Sequence, residues 1–159
     1  MKYKVKIEFI NGKIPAIFKN VDISAVIDSI VQFFEKNSVN IYPFPNIVFD
    51  CRKQKSFLHF CIGVYDPDTK TVKIPIKDRS PNDVIRALFH EFIHHSQNMS
   101  GILAKKMKGV NSINSDVGLH KGLTKLEEDA NARGFYMFRV WAREEKAKSK
   151  NPFYAALHK

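Results

Sequence analysis

Ser80-Pro81-Asn82-Asp83-Val84-Ile85-Arg86-Ala87-Leu88-Phe89-His90-Glu91-Phe92-Ile93-His94 is the stretch on which the reading of this chain turns. It opens as a helix start. Ser80 suits the N-cap, Pro81 suits the first helical position, and Asp83 sits favourably in the first turn. Val84, Ala87, Leu88, Phe92 and Ile93 supply apolar faces, and Gly101 marks an end, so the pattern predicts a helix from Pro81 to about Asn98. On that helix His90 and His94 are one turn apart and share a face, so a single Zn²⁺ can be held by both imidazoles. Glu91 is displaced by about 100° from His90. It can face the open coordination position, where a carboxylate serves as general base.

A third ligand is sought downstream. The pattern predicts a long helix from about Thr124 to Lys148. At about 100° per residue, Leu126, Glu127, Ala130, Gly134, Met137, Phe138 and Trp141 fall in one stripe. Glu127 therefore points with the apolar face, whereas Glu128 points away and Asp129 lies on the far side. An acidic residue among core positions needs a partner, and a bound metal is one. Asn131, one turn on, borders the stripe and can hydrogen-bond a ligand. Ala130 and Gly134 are small enough for a neighbouring helix to approach closely. Against the ligand reading, Thr124-Lys125-Leu126-Glu127 also fits a capping box, in which Glu127 reaches back to the backbone of Thr124.

His90-Glu91-Phe92-Ile93-His94 followed by Glu127-Glu128-Asp129-Ala130-Asn131 resembles the gluzincin metallopeptidases, in particular the small ImmA/IrrE-type peptidases and compact minimal gluzincins. The resemblance covers about residues 80–140. It implies a zincin-like fold with His90, His94 and Glu127 as zinc ligands, Glu91 as catalytic base and Asn131 beside the ligands. The aromatic-Ala pair frequent after the family's Ala-Asn is not reproduced, since Ala132-Arg133-Gly134-Phe135 stands there. A second oxyanion donor is expected, with His120, Tyr136 and His95 as candidates. No chemical role for His95-Ser96-Gln97 is evident from sequence.

Residues 100–123 hold four glycines and several Asn and Ser with weak periodicity, and they lie between the two halves of the proposed site. They read as a mobile flap or lid. Towards the N-terminus, Tyr3, Val5, Ile7 and Phe9 alternate with charges, which predicts a strand over 2–10. Asn11-Gly12 is a turn signal, and residues 13–18 are expected to return as an edge strand demoted by Pro15. Asp22 or Ser24 caps a helix through about Lys36, with Val26, Ile27, Ile30, Val31, Phe33 and Phe34 apolar. Residues 46–51 read as a strand, and 56–65 with 70–76 as a hairpin around Asp66-Pro67-Asp68-Thr69. Pro75 suggests that the second arm is an exposed edge, which could pair with an extended peptide.

The chain has 159 residues, 44% of them hydrophobic and 12% aromatic, which fits one domain with a real core. No apolar run reaches membrane-spanning length, and the start Met-Lys-Tyr-Lys-Val-Lys is a strand pattern rather than a signal peptide, so a cytoplasmic location is expected. The formal charge of +10 permits acidic or nucleic-acid partners. No nucleic-acid-binding signature accompanies it, and a solvated lysine-rich surface is the plainer reading. Cys51 and Cys61 lack metal-pair spacing; with His59 they could join a second metal site, but two buried thiols in adjacent strands are simpler.

The expectation is a single α+β domain over residues 1–159, with a small mixed or antiparallel sheet packed on the His90 helix and a second helix bearing Glu127. Its expected activity is zinc-dependent hydrolysis of protein or peptide substrates. The alternative is a non-catalytic basic module with a structural metal, binding acidic partners or nucleic acid.

Overall fold

The computed structural model describes residues 4–53, 63–103, 113–114 and 121–148, with the backbone alone for 113–114 and 121–123. The chain runs β1 (Ile7–Ile10), α1 (Ala16–Lys19), α2 (Ile23–Lys36), β2 (Asn46–Asp50), β3 (Val64–Asp66), β4 (Thr71–Pro75), α3 (Pro81–Met99), β5 (Ile113–Asn114) and α4 (Lys121–Ala147). The class is α+β, as the sequence suggests. Among the described residues the sheet order is β1-β2-β4-β3-β5. β1, β2 and β4 run parallel, and β3 is antiparallel to both β4 and β5, so the sheet is mixed.

Two expectations about the strands are corrected. Asn11 and Gly12 do turn the chain, with φ of 62° and 145°. The turn leads not into a returning strand over 13–18 but into the short helix α1, which starts directly after Pro15. Proline fits a helix entry because it has no N–H to satisfy. The partner of β1 is instead β2, reached through α2. This pairing stacks Phe9 on Phe49 with ring centroids 5.1 Å apart. The second correction concerns β4, which is an inner strand between β2 and β3 rather than an exposed edge. Pro75 is tolerated because it ends the strand opposite Asp50, and Ile76 resumes the ladder by donating to the Asp50 carbonyl at 3.0 Å. The edge proposed for peptide pairing therefore does not belong to β4. The hairpin around Asp66–Thr69 is present in its described part, with Asp66 opposite Thr71, while residues 56–62 of its expected first arm lie outside the described residues.

The helix starts follow the sequence. Asp22 caps α2 by accepting from the Ala25 amide at 3.0 Å. Ser80 caps α3 by accepting from the Asp83 amide at 3.1 Å. α3 ends at Met99, and Gly101 follows with φ 75°, a conformation glycine adopts without strain. The core joins the sheet to all three long helices: Phe34 of α2 meets Phe89 and Phe92 of α3, and Phe89 meets Phe138 and Trp141 of α4. Trp141 is buried and donates its indole N–H to Ser29 of α2 at 3.0 Å. The stripe on α4 packs inward as its phase requires, with Leu126, Ala130, Gly134, Met137 and Phe138 all buried. Gly134 is where α3 and α4 cross. A Cβ there would stand 3.0 Å from the His90 Cα, so the small residue sets the distance between the two helices.

α4 starts three residues before the expected Thr124, which therefore lies within the helix and is not its N-cap. The capping-box role for Glu127 is removed with it. The flap reading falls mostly on residues 104–112 and 115–120, outside the described residues. No helix is long and apolar enough to cross a membrane among the described residues.

Candidate metal centre

Because α3 presents His90 and His94 along one ridge and Gly134 lets α4 come close, three side chains meet in the interior. The Nε2 atoms of His90 and His94 are 3.1 Å apart. Glu127 places Oε1 3.1 Å from His90 Nε2 and Oε2 3.0 Å from His94 Nε2. The three residues offer ligand atoms that all lie within 4.8 Å of one another. Both histidines are buried and Glu127 is mostly so. The expected ligand set is thus brought together, and among the described residues the group stops at three protein ligands.

The hydrogen bonds around His94 determine its tautomer. Gln97 donates both amide hydrogens, to the Leu126 carbonyl at 3.0 Å and to Asp129 Oδ2 at 2.9 Å. Its Oε1 is left as an acceptor, so His94 Nδ1, 2.9 Å away, is the donor. A neutral His94 then turns the lone pair of Nε2 towards His90 and Glu127. Lone pairs and a carboxylate converging on one point need a cation or shared protons between them. The electrostatics without metal agree. Burial opposes a charge on His94, but Glu127 and Glu91 outweigh it and raise its pKa. Burial pushes Glu127 up, yet the two histidine contacts win and hold it down at about 2. The group could therefore hold a metal ion.

Glu91 stands apart from this contact shell and is fully buried. Its Oε1 side lies against the Gly63 backbone, where a Cβ would come within 2.6 Å. Among the described residues its Oε2 has no hydrogen-bond partner, and Glu127 Oε2 also lacks one of good geometry despite the nearby His94. Burial, above all, raises the Glu91 pKa to about 7; His94 and His90 pull it down and Glu127 pushes it up. A buried carboxylate oxygen with no partner is costly unless something absent from the protein atoms, such as a water or a bound ligand, completes it.

Sequence reasoning missed Gln97 and Asp129. Gln97 joins His94 to the helix that carries Glu127, and Asp129, read from helical phase as remote, receives its amide and also pairs with Arg133 at 3.0 Å. The signal available was spacing: Gln97 is i+3 from His94 and shares its face. Asn131 lies exposed on the wall of a cleft of about 660 Å³ that also contains His90, Arg86, Glu128, Ala132 and Phe135. It reaches the site's margin and makes no hydrogen bond to the ligands. His95 is committed to the core on the other side of α3. Its Nε2 faces the Ile41 and Pro43 carbonyls at 3.1 and 2.8 Å, so it is the donor, and Nδ1 accepts from the Tyr65 hydroxyl at 2.8 Å. His95 therefore has no free donor for an oxyanion. Tyr136 is exposed, while His120, His59 and Cys61 lie outside the described residues. Cys51 is a buried free thiol at the end of β2, held protonated mainly by burial.

Compared with known proteins, the chain matches no family model, and no curated protein or solved structure gives a significant match.

Proposed function

We propose that this chain is a zinc metallopeptidase of gluzincin type, acting on protein or peptide substrates. The observation that carries the reading is the buried His90-His94-Glu127 group with an unpartnered Glu91 carboxylate beside it. Two imidazoles and one carboxylate suit zinc, and three protein ligands leave a coordination position for chemistry. A structural site would be closed by a fourth ligand, and none stands there among the described residues, which is the specific objection to the basic binding module.

Zinc, when bound, supplies Lewis acidity to a water and to the carbonyl under attack. The protein's own part is the following. His90, His94 and Glu127 hold the ion, with His94 fixed in its tautomer by Gln97. Glu91 takes the proton of the attacking water on its free Oε2 and passes it to the leaving amine. Its raised pKa places proton exchange near neutrality, where a base can both accept and return a proton. The cleft beside His90 gives substrate a way to the ion.

Elemental analysis of purified protein, paired with cleavage of a broad peptide library, tests this. Stoichiometric zinc with library cleavage that is lost in Glu91→Gln is the expected result. Stoichiometric zinc with no cleavage in either protein would favour the binding module, and no zinc in wild type would remove the reading.

A further inference from the structure

We infer that the peptide accepted by this site is acidic, and that Arg139 and Arg143 on α4 are the residues that select it. The inference rests on the peptidase reading and adds its substrate class. Phe135 lines both the cleft that contains His90 and a second one, which Tyr136, Arg139, Val140 and Arg143 also line. Phe135 and Tyr136 are exposed aromatic side chains, so an apolar surface stands where the two clefts share Phe135. The Arg139 guanidinium stands over the Phe135 ring, 5.7 Å from its centre, which holds it at the junction. Arg143 lies eight residues beyond Phe135. At a rise of 1.5 Å per residue this is about 12 Å along α4, or roughly three to four residues of an extended chain.

Charge sets the partner. Arg133 is occupied by Asp129, and Lys36 by Glu144. Arg139 and Arg143 have no acidic partner among the described residues. In a chain of net charge +10 their field attracts anionic segments and repels basic ones. Glu128 lines the nearer cleft together with Arg86, itself paired with Asp83 at 3.2 Å, so the positive bias is weaker beside His90 than at Arg139 and Arg143. The substrate that fits has an apolar residue seated on Phe135 and Asp or Glu three to four positions further on, away from the cleaved bond.

The test uses zinc-loaded Glu91→Gln protein, so that binding is read without turnover. Fluorescence anisotropy is measured with a labelled peptide carrying four glutamates beside an apolar residue, and with its glutamine and lysine counterparts. The glutamate peptide should bind about tenfold tighter than the glutamine one at low salt, and the preference should vanish in Arg139→Glu/Arg143→Glu protein with zinc content unchanged. Equal affinity for the three peptides, or a preference that survives the double substitution, overturns the inference. So does a single-stranded oligonucleotide that binds the same arginines more tightly than the peptide. Wild-type cleavage of neutral and acidic peptides at equal rates removes the selectivity and leaves the peptidase reading standing. Arginine-dependent binding with no cleavage of any peptide does the reverse.

Discussion

α3 has two buried polar clusters on its two sides, and they are opposites. On one side, His95 gives Nε2 to the Ile41 and Pro43 carbonyls and receives the Tyr65 hydroxyl, which in turn accepts from Asn98 at 2.9 Å. Its donors and acceptors match. On the other side, His90, His94 and Glu127 turn acceptors towards one another, and Glu91 leaves an oxygen without a partner. Both clusters are largely buried, so burial alone does not account for the difference between them. Completeness does. A polar cluster closed by the protein itself holds the fold together, whereas the one left open could hold a metal ion.

The largest expected effect separates the two clusters outright. His94→Ala should abolish stoichiometric zinc, while His95→Ala should retain it and instead lower stability by about 2–3 kcal/mol, because a cavity is left and Tyr65 loses its acceptor. Elemental analysis together with urea unfolding reads both. Zinc loss in His95→Ala at preserved fold, or retention in His94→Ala, would break the comparison.

Next in size is the division of labour within the open cluster. Glu91→Gln should keep zinc and fold and cost about 10²–10⁴ in cleavage rate. Equal rates with zinc bound would show that Glu91 is a packing residue.

Glu91 and His95, one from each cluster, should also respond to pH in opposite directions when a chelator keeps the protein metal-free. Glu91 has its folded pKa raised to about 7 from 4.5, mainly by burial. Its folded form binds the proton more tightly, so its contribution is full below pH 4.5 and is lost as pH rises to about 7. That loss amounts to roughly 3 kcal/mol at most, and Glu91→Gln should remove it from a plot of stability against pH. His95 is shifted the other way: burial lowers its pKa from 6.5, against the two carbonyl contacts. Its contribution is present above pH 6.5 and is lost on acidification below that. A metal-free protein whose pH profile is the same in wild type and Glu91→Gln would contradict the raised Glu91.

The smallest effect sharpens the boundary of the open cluster. Gln97→Ala removes the acceptor that fixes His94 and the amide that ties α3 to α4. It should weaken zinc affinity by about 10–100-fold without changing stoichiometry at saturating metal. Competition with a chromogenic chelator measures this. Unchanged affinity would confine Gln97 to holding the helices together.

Local spacing in the sequence was enough for much that depends on one helix at a time. Ser80, Pro81 and Asp83 start α3, the four-residue step puts His90 and His94 on one ridge, and the phase of the later helix turns Glu127 inward with Leu126 and Ala130. These follow from a fixed rotation per residue, which no distant contact alters. Gly134, too, was legible as a point of close approach, though not that His90 is what it approaches. Tertiary structure decided the rest. Asn11-Gly12 makes a turn in any fold, but whether the chain then pairs back or enters a helix depends on β2 offering Phe9 a better partner. Pro75 is legible as a poor donor, yet only the register that places it at the end of β4 explains an inner strand there. His94 and His95 are neighbours of one residue type, and nothing local tells them apart. One meets Gln97 and Glu127 while the other meets Tyr65 and two loop carbonyls, because a rotation of about 100° turns them to different neighbours that only the folded chain assembles.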